Sequence, residues 1–251
     1  MKTENFKFGW LKDLPDYRDF LSTDVEMATR PKVVDMRANF PGIYNQGALG
    51  SCTGNGTAAV IEFAKMKQKE MRLVPSRLMI YYNARELEGS VDSDSGAMIR
   101  DCIKTVVSKG VCSEASWPYV PTQFRRKPPK FCYDEAIKNR VLEYKHVSQD
   151  IKMIETCLAS GFPFVFGFTV YSSFMDKDVA KTGIMKMPQP GDSAEGGHCV
   201  VGLGYDSTKK FVWCRNSWGL DWGIAGYFKM PYDYISDQGL TSDFWKITLV
   251  D

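Results

Sequence analysis

Histidine is scarce: only His146 and His198 occur in 251 residues. That scarcity excludes a histidine-rich metal site and leaves any histidine-dependent chemistry two candidates. The seven cysteines, Cys52, Cys102, Cys112, Cys132, Cys157, Cys199 and Cys214, include no C-x-x-C pair, which argues against a zinc ribbon or a redox dithiol. Their odd number leaves at least one thiol free or paired between molecules. No long apolar run is present either. The most apolar stretch, Phe162 to Tyr171, has ten residues, about half of what a membrane-spanning helix needs. Charge of one sign is also lacking: 32 basic and 30 acidic residues leave a net charge of +2. Nucleic acid and anionic membrane are therefore excluded as main partners. The N-terminus, MKTENFKFGWLKDLPDYRDF, has no apolar core segment and is not read as a secretory signal. Neither a metal nor a cofactor is expected.

Apolar residues make up 44% of the chain and charged residues 25%, the profile of a globular protein. A chain of this length buries roughly 70–75% of its unfolded surface and needs no disulfide or metal staple. Residues 1–30 have weak periodicity but carry Phe8, Trp10, Tyr17 and Phe20, so they are expected to pack on the body as an extension. Helices are predicted over Ser51 to Glu70 with an apolar face of Ala58, Ala59, Ile61, Phe63 and Met66, from Ser76 as N-cap to Glu86, over Ala97 to Lys109 with Gly110 as stop, and over Asp150 to Ser160. Gly54 and Gly56 lie in the first of these, where they weaken helicity but let other elements approach. The segment PTQFRRKPPKF is expected to be a solvated loop. From Pro163 onward, short β-branched and aromatic runs separated by turn residues predict strands at 163–169, 197–205, 210–215, 226–230 and 244–250. Helices first and antiparallel strands second give an α+β protein with two lobes.

Cys52, in NQGALGSCTGN, stands at the start of the first predicted helix, where unpaired N–H groups favour a thiolate. A thiolate needs a cationic partner. His198, in EGGHCVVGLGY, opens a strand-like run after two glycines, whereas His146 lies in the charged segment EYKHVSQD and is expected at the surface. Asn216, in CRNSWGLDWG, can accept a hydrogen bond from an imidazole N–H without taking its charge.

The order Gln-Gly…Gly-Ser-Cys, then Gly-Gly-His, then Asn-Ser-Trp-Gly resembles the papain and cathepsin family of cysteine peptidases. His198 follows Cys52 by 146 residues and Asn216 follows His198 by 18, in keeping with that family's spacing. The resemblance runs from about Arg30 to the C-terminus, with PKVVDMR, GVCSEASWPY and GYFKM as further matches. It implies a papain-like fold, with a helical lobe over roughly 45–120, a β-rich lobe over roughly 121–251, and the active site in the cleft between them. It implies an enzyme that hydrolyses peptide bonds in peptide or protein substrates. Cys52 would form the thioester acyl-enzyme, His198 would act as acid and base, Asn216 would hold the ring and Trp218 would shield that bond. Gln46 would donate to the oxyanion with the Cys52 backbone N–H. Gly96, in SDSGAMI, is similar to the family glycine whose backbone pairs with extended substrate. Met98 and Cys199 would line the pocket for the second residue before the cut.

Two departures stand out. The nucleophile motif is L-G-S-C-T, with Leu49 and Thr53 where the family has Cys and Trp. The segment Asp92-Ser93-Asp94-Ser95-Gly96 has no cysteine, so the disulfide that ties this region down in secreted relatives cannot form. The chain thus resembles a bacterial or viral branch of the family, folding in a reducing, cytoplasmic compartment. An endopeptidase is expected; an exopeptidase, peptide ligase or amidase on the same fold, or a non-catalytic binding module, are the alternatives. Family members carry N-terminal prosegments, so residues 1–30 are expected either to restrain access to the cleft or to strap the lobes from elsewhere.

Overall fold

The computed structural model describes residues 6–16, 29–69 and 73–251. Tyr17 and Phe20 of the extension lie outside the described residues. Strands β1 (Trp10–Leu11) and β2 (Val33–Asp35) precede helices α1 (Cys52–Lys67) and α2 (Arg77–Leu87), then β3 (Ala97–Met98) and α3 (Ile99–Lys109). The second half contains α4 (Lys130–Ala136), β4 (Val141–His146), α5 (Ile151–Ala159), β5 (Phe164–Tyr171), α6 (Lys177–Thr182), β6 (Ala194–Asp206), β7 (Phe211–Arg215), β8 (Tyr227–Pro231), α7 (Tyr232–Ser236) and β9 (Thr241–Val250). The sheet runs β4-β9-β5-β6-β7-β8 with antiparallel neighbours, and β2 adds to β6.

Local chemistry sets the helix ends. The Ser76 hydroxyl accepts from Met79 N at 3.2 Å, and the Asp150 carboxylate accepts from Lys152 N and Met153 N; each satisfies N–H groups that a first turn leaves open. Helix α3 stops at Gly110, whose φ of +73° suits a residue without a side chain. Helix α1 is the axis of the molecule. It packs on α2 and α3 on one side and on β5, β6 and β9 on the other. All of it is buried except Met66 and Lys67, so the single apolar face expected from the sequence is replaced by burial all round. Gly54 and Gly56 make this close fit feasible: a Cβ on Gly54 would lie 2.8 Å from Arg77 O, and one on Gly56 would lie 3.0 Å from Cys199 Sγ and from Val165 Cγ2.

Three expectations need correction. Ala97 and Met98 are not helical; they form β3 and pair in parallel with Trp10 and Leu11 of β1. His146 is not a surface residue. It ends β4 opposite Trp245, half-buried, with its ring edge-on to the indole at 5.1 Å. Met66, placed on the apolar face, is exposed at the solvated end of α1.

Candidate active site

Cys52 is the first residue of α1 and is fully buried. Its sulfur faces the backbone N–H groups of Cys199, Gly9 and Thr53, yet burial outweighs them and pushes the thiol up to about 11. His198 lies on β6 opposite Phe168 of β5. Its Nε2 is 2.8 Å from Asn216 Oδ1, which also accepts from Ser217 N at 2.8 Å. An oxygen that takes two donors is an acceptor only, so Nε2 carries the proton and Nδ1 is the basic nitrogen. Nδ1 is buried without a hydrogen-bond partner. Burial lowers the imidazole to about 4, against the raising effect of Asn216. Trp218 stacks on the ring at 4.8 Å and 28°.

Gln46 is tied to the same strand end. Its N–H donates to Ser217 O at 2.8 Å, and its Oε1 accepts from Ser217 Oγ at 2.6 Å. That hydroxyl fixes which way the amide points, leaving Nε2 to donate to Leu49 O at 2.9 Å and Lys7 O at 3.0 Å. Where the resemblance calls for a disulfide, a carboxylate makes the tie instead: Asp94 accepts from Gly50 N at 3.1 Å and from Tyr81 Oη at 2.6 Å. Burial opposes its charge, but the bonds from Tyr81, Lys7 and Gly50 hold its pKa below the usual carboxylate value.

Residues 6–16 run through the cleft. Phe6 stacks on Trp218 at 4.3 Å, and Phe8 meets His198 edge-on at 6.3 Å. Gly9 passes so close to the nucleophile loop that a Cβ there would lie 1.7 Å from Gly50 O. Gly9 O accepts from Ala97 N at 2.9 Å. Trp10 Nε1 donates to Asp243 Oδ2 at 2.9 Å, and Asp13 N donates to the same oxygen at 2.8 Å. The Asp13 carboxylate accepts from Trp245 Nε1 at 2.8 Å and Arg100 N at 3.2 Å. Cys52 and His198 are consequently 0% exposed.

Cys52, His198, Asn216, Gln46 and Trp218 are thus brought together. The pocket residues are less uniform. The Gly96 N–H donates to Tyr81 Oη at 3.1 Å, so the N–H that pairs with the extended segment belongs to Ala97. Met98 is half-buried beside Leu11. The Cys199 sulfur turns toward Gly56 of α1. Sequence reasoning missed Ser217, Asp94 and Asp243. Ser217 sits inside the quoted N-S-W-G motif, but nothing local marks the two aspartates. Among the described residues no group of three or more His, Cys, Asp or Glu side chains could hold a metal.

The sequence profile described as "Papain family cysteine protease" matches residues 30–245. An "uncharacterized peptidase C1-like protein" of Acanthamoeba polyphaga mimivirus is 42% identical over 267 residues, covering 96% of this chain and 86% of that protein. Ananain of Ananas comosus is 26% identical over 225 residues, covering 86% of this chain and 60% of its own length. The crystal structure of xylellain, a cysteine protease from Xylella fastidiosa, superposes with a TM-score of 0.94 at 41% identity, covering 100% of this chain and 99% of that one. The digestive procathepsin L 3 of Tenebrio molitor, a proform, shares the fold with a TM-score of 0.73 at 17% identity, covering 98% of this chain and 77% of its own. The protein belongs to the papain family of cysteine peptidases.

Proposed function

We propose that this cysteine peptidase is an endopeptidase in which Cys52 is the nucleophile and His198 its acid and base. Asn216 orients the imidazole, and Gln46 with the Cys52 N–H binds the oxyanion. Residues 1–30 act as an intramolecular regulator of the peptidase unit at 31–251. One observation carries this reading: Lys7 O accepts from Gln46 Nε2 while the chain continues past Cys52 to Trp10. A cleft that holds extended chain on both sides of the sulfur suits internal cleavage, whereas an exopeptidase needs one end blocked. In the basic loop 121–131, Arg126 lies over Trp117 and Lys127 pairs with Glu86 at 2.7 Å.

The sulfur gives its proton to His198 Nδ1 and attacks the scissile carbonyl carbon. The carbonyl oxygen becomes an oxyanion on the Gln46 amide. As it collapses, the Nδ1 proton passes to the departing amine and a thioester remains. His198 then takes a proton from water, the hydroxide displaces the thiolate, and the acid product leaves. The extension opposes this sequence in two ways. Lys7 O occupies the Gln46 amide while the sulfur meets the Gly9 N–H two residues further on, so the polarised carbonyl and the nucleophile are out of step. Exclusion of water also favours a neutral thiol and neutral imidazole over the reactive ion pair. Solved relatives in proforms are consistent with intramolecular regulation.

Hydrolysis of a blocked-terminus peptide, compared with free dipeptides, tests the reaction. Internal cleavage is expected. Cys52→Ala and His198→Ala should each lose on the order of 10³-fold or more in kcat, and the double variant little further, because such groups act as a unit. Retained turnover in His198→Ala, with loss in His146→Ala, would reassign the base.

A further inference from the structure

The two groups proposed to bind the oxyanion lie at opposite ends of one short loop. Gln46 supplies its side-chain amide at the start and Cys52 its backbone N–H at the end, with Gly47 and Gly50 between them. Gly47 adopts a φ of +58°, and a Cβ there would meet nothing within 4 Å. A loop so open can stretch, whereas both donors must stand about 3 Å from the developing charge. The ends need a tie.

Tyr119 spans the gap. Its hydroxyl donates to Gln46 O at 3.0 Å and lies 2.5 Å from the hydroxyl of Ser51, the residue before Cys52. A carbonyl can only accept, so the single phenolic proton goes to Gln46 O, and Ser51 Oγ donates to Tyr119 Oη. Ser51 in turn accepts from Asn55 Nδ2, at 3.1 Å on its hydroxyl and 2.9 Å on its carbonyl. Asn55 Oδ1 accepts from Arg77 Nη1 at 3.1 Å, which fixes the way that amide faces. The chain Arg77, Asn55, Ser51, Tyr119, Gln46 therefore donates in one direction only, toward the Gln46 carbonyl. Its origin is fixed: Arg77 meets Glu114 through Nε at 3.2 Å and Nη2 at 2.6 Å, and its guanidinium lies 4.0 Å from the centre of the Tyr119 ring. The backbone leading to Tyr119 is held too, since Ser76 Oγ donates to Trp117 O at 2.7 Å and Glu114 N to Val74 O at 2.7 Å. Burial raises the Tyr119 pKa above the ordinary tyrosine value, so the hydroxyl keeps its proton. None of these bonds comes from residues 6–16. Ser217 fixes Gln46 to the strand end that carries Asn216, and Tyr119 ties it to the helix that carries the nucleophile. We infer that Tyr119 is a positioning residue for the reaction, its hydroxyl setting the separation of the Gln46 amide from the Cys52 N–H and so the fit of the oxyanion between them. The inference deepens the peptidase reading and rests on it.

Tyr119→Phe removes the hydroxyl and keeps the ring on Arg77. In the full-length chain acting on a blocked peptide, kcat should fall about tenfold with KM within about twofold, a smaller loss than removal of a whole oxyanion donor. Alkylation of Cys52 by iodoacetamide separates this from a general loosening. Displacement of iodide passes through no oxyanion, so its rate should stay within about twofold of the parent. In a Gln46→Ala background the same change should lower kcat by less than about threefold, because Tyr119 acts through the placement of that amide. Ser51→Ala, which leaves Tyr119 in place and removes its anchor, should lower kcat by less than Tyr119→Phe does, again with KM little changed. An unchanged kcat in either variant, a loss carried by KM, a matching change in alkylation, or a loss of full size that persists in Gln46→Ala overturns the inference and leaves the peptidase reading intact. A parent that cleaves no peptide overturns the peptidase reading and the inference with it.

Discussion

Gly9→Ala isolates the contact by which the extension closes the cleft. The new Cβ would sit 1.7 Å from Gly50 O, 2.4 Å from Gly50 C and 2.8 Å from Gly50 Cα. All three are backbone atoms of a loop pinned to Asp94 by the Gly50 N–H, so no side chain can swing away to make room. Overpacking of this kind costs about 1–3 kcal/mol, and the rigid neighbour places this case at about 3. The opposing effect, a less flexible undocked segment, is worth only about 0.4–1 kcal/mol. The difference, about 2 kcal/mol or more, shifts the closed-to-open ratio some thirtyfold. Iodoacetamide labelling of the full-length chain, with tryptic peptides resolved by mass spectrometry, should show Cys52 alkylated faster by that order. The other six cysteines, all buried, serve as internal controls. Gly42→Ala, where a Cβ meets nothing within 4 Å, should leave the rate unchanged. Equal Cys52 rates in Gly9→Ala and parent would refute the reasoning. Simultaneous labelling of all seven thiols would also do so, by showing that the body had unfolded rather than the segment undocked.

Docking should also depend on pH. Burial and the nearby Asp243 raise Asp13 to about 7, against the bonds from Trp245 and Arg100, with the Lys104–Asp16 pair close by at 3.5 Å. A docked pKa above the undocked one means that docked Asp13 holds its proton more tightly. Its contribution is therefore fully present below about pH 4 and lost as pH rises through about 7. The labelling rate of the parent relative to Asp13→Asn, a ratio that cancels thiol ionisation, should climb between pH 6 and 8; a flat ratio contradicts it. In the Gly9→Ala chain, Gln46→Ala should lower kcat by about 10²- to 10³-fold with a smaller change in KM, since the oxyanion exists only in the transition state. An unchanged kcat would make Gln46 a structural link to Ser217.

The residues proposed for the reaction were legible because their chemistry is carried by residue type and order. A cysteine at a helix start, a histidine after two glycines and an asparagine before Ser-Trp-Gly are short local patterns, and only two histidines competed for one role. Helix limits were readable for a similar reason: Ser76, Asp150 and Gly110 act on backbone within a few residues of themselves. His146 was misplaced because charge in EYKHVSQD suggests solvent, whereas a strand alternates its faces and turns that ring onto Trp245. Met66 was misplaced because an apolar residue at the end of a helix has no periodicity to reveal that the core stops one turn earlier.

By itself the sequence determined the family and the α+β class, and it nominated the set Cys52, His198, Asn216 and Gln46 proposed for the reaction, since each depends on residue identity and near neighbours. Only the tertiary structure decided the state of that set. Whether the aromatic extension crossed the cleft or strapped the lobes from elsewhere depended on surfaces distant in the chain: Gly50 beside Gly9, Gly167 and Gly197 around Trp10, and Asp243 more than 200 residues away from the indole it holds. Burial under that segment pushes the Cys52 thiol up and the His198 imidazole down, and desolvation belongs to no single residue. It arises when the chain folds back on itself.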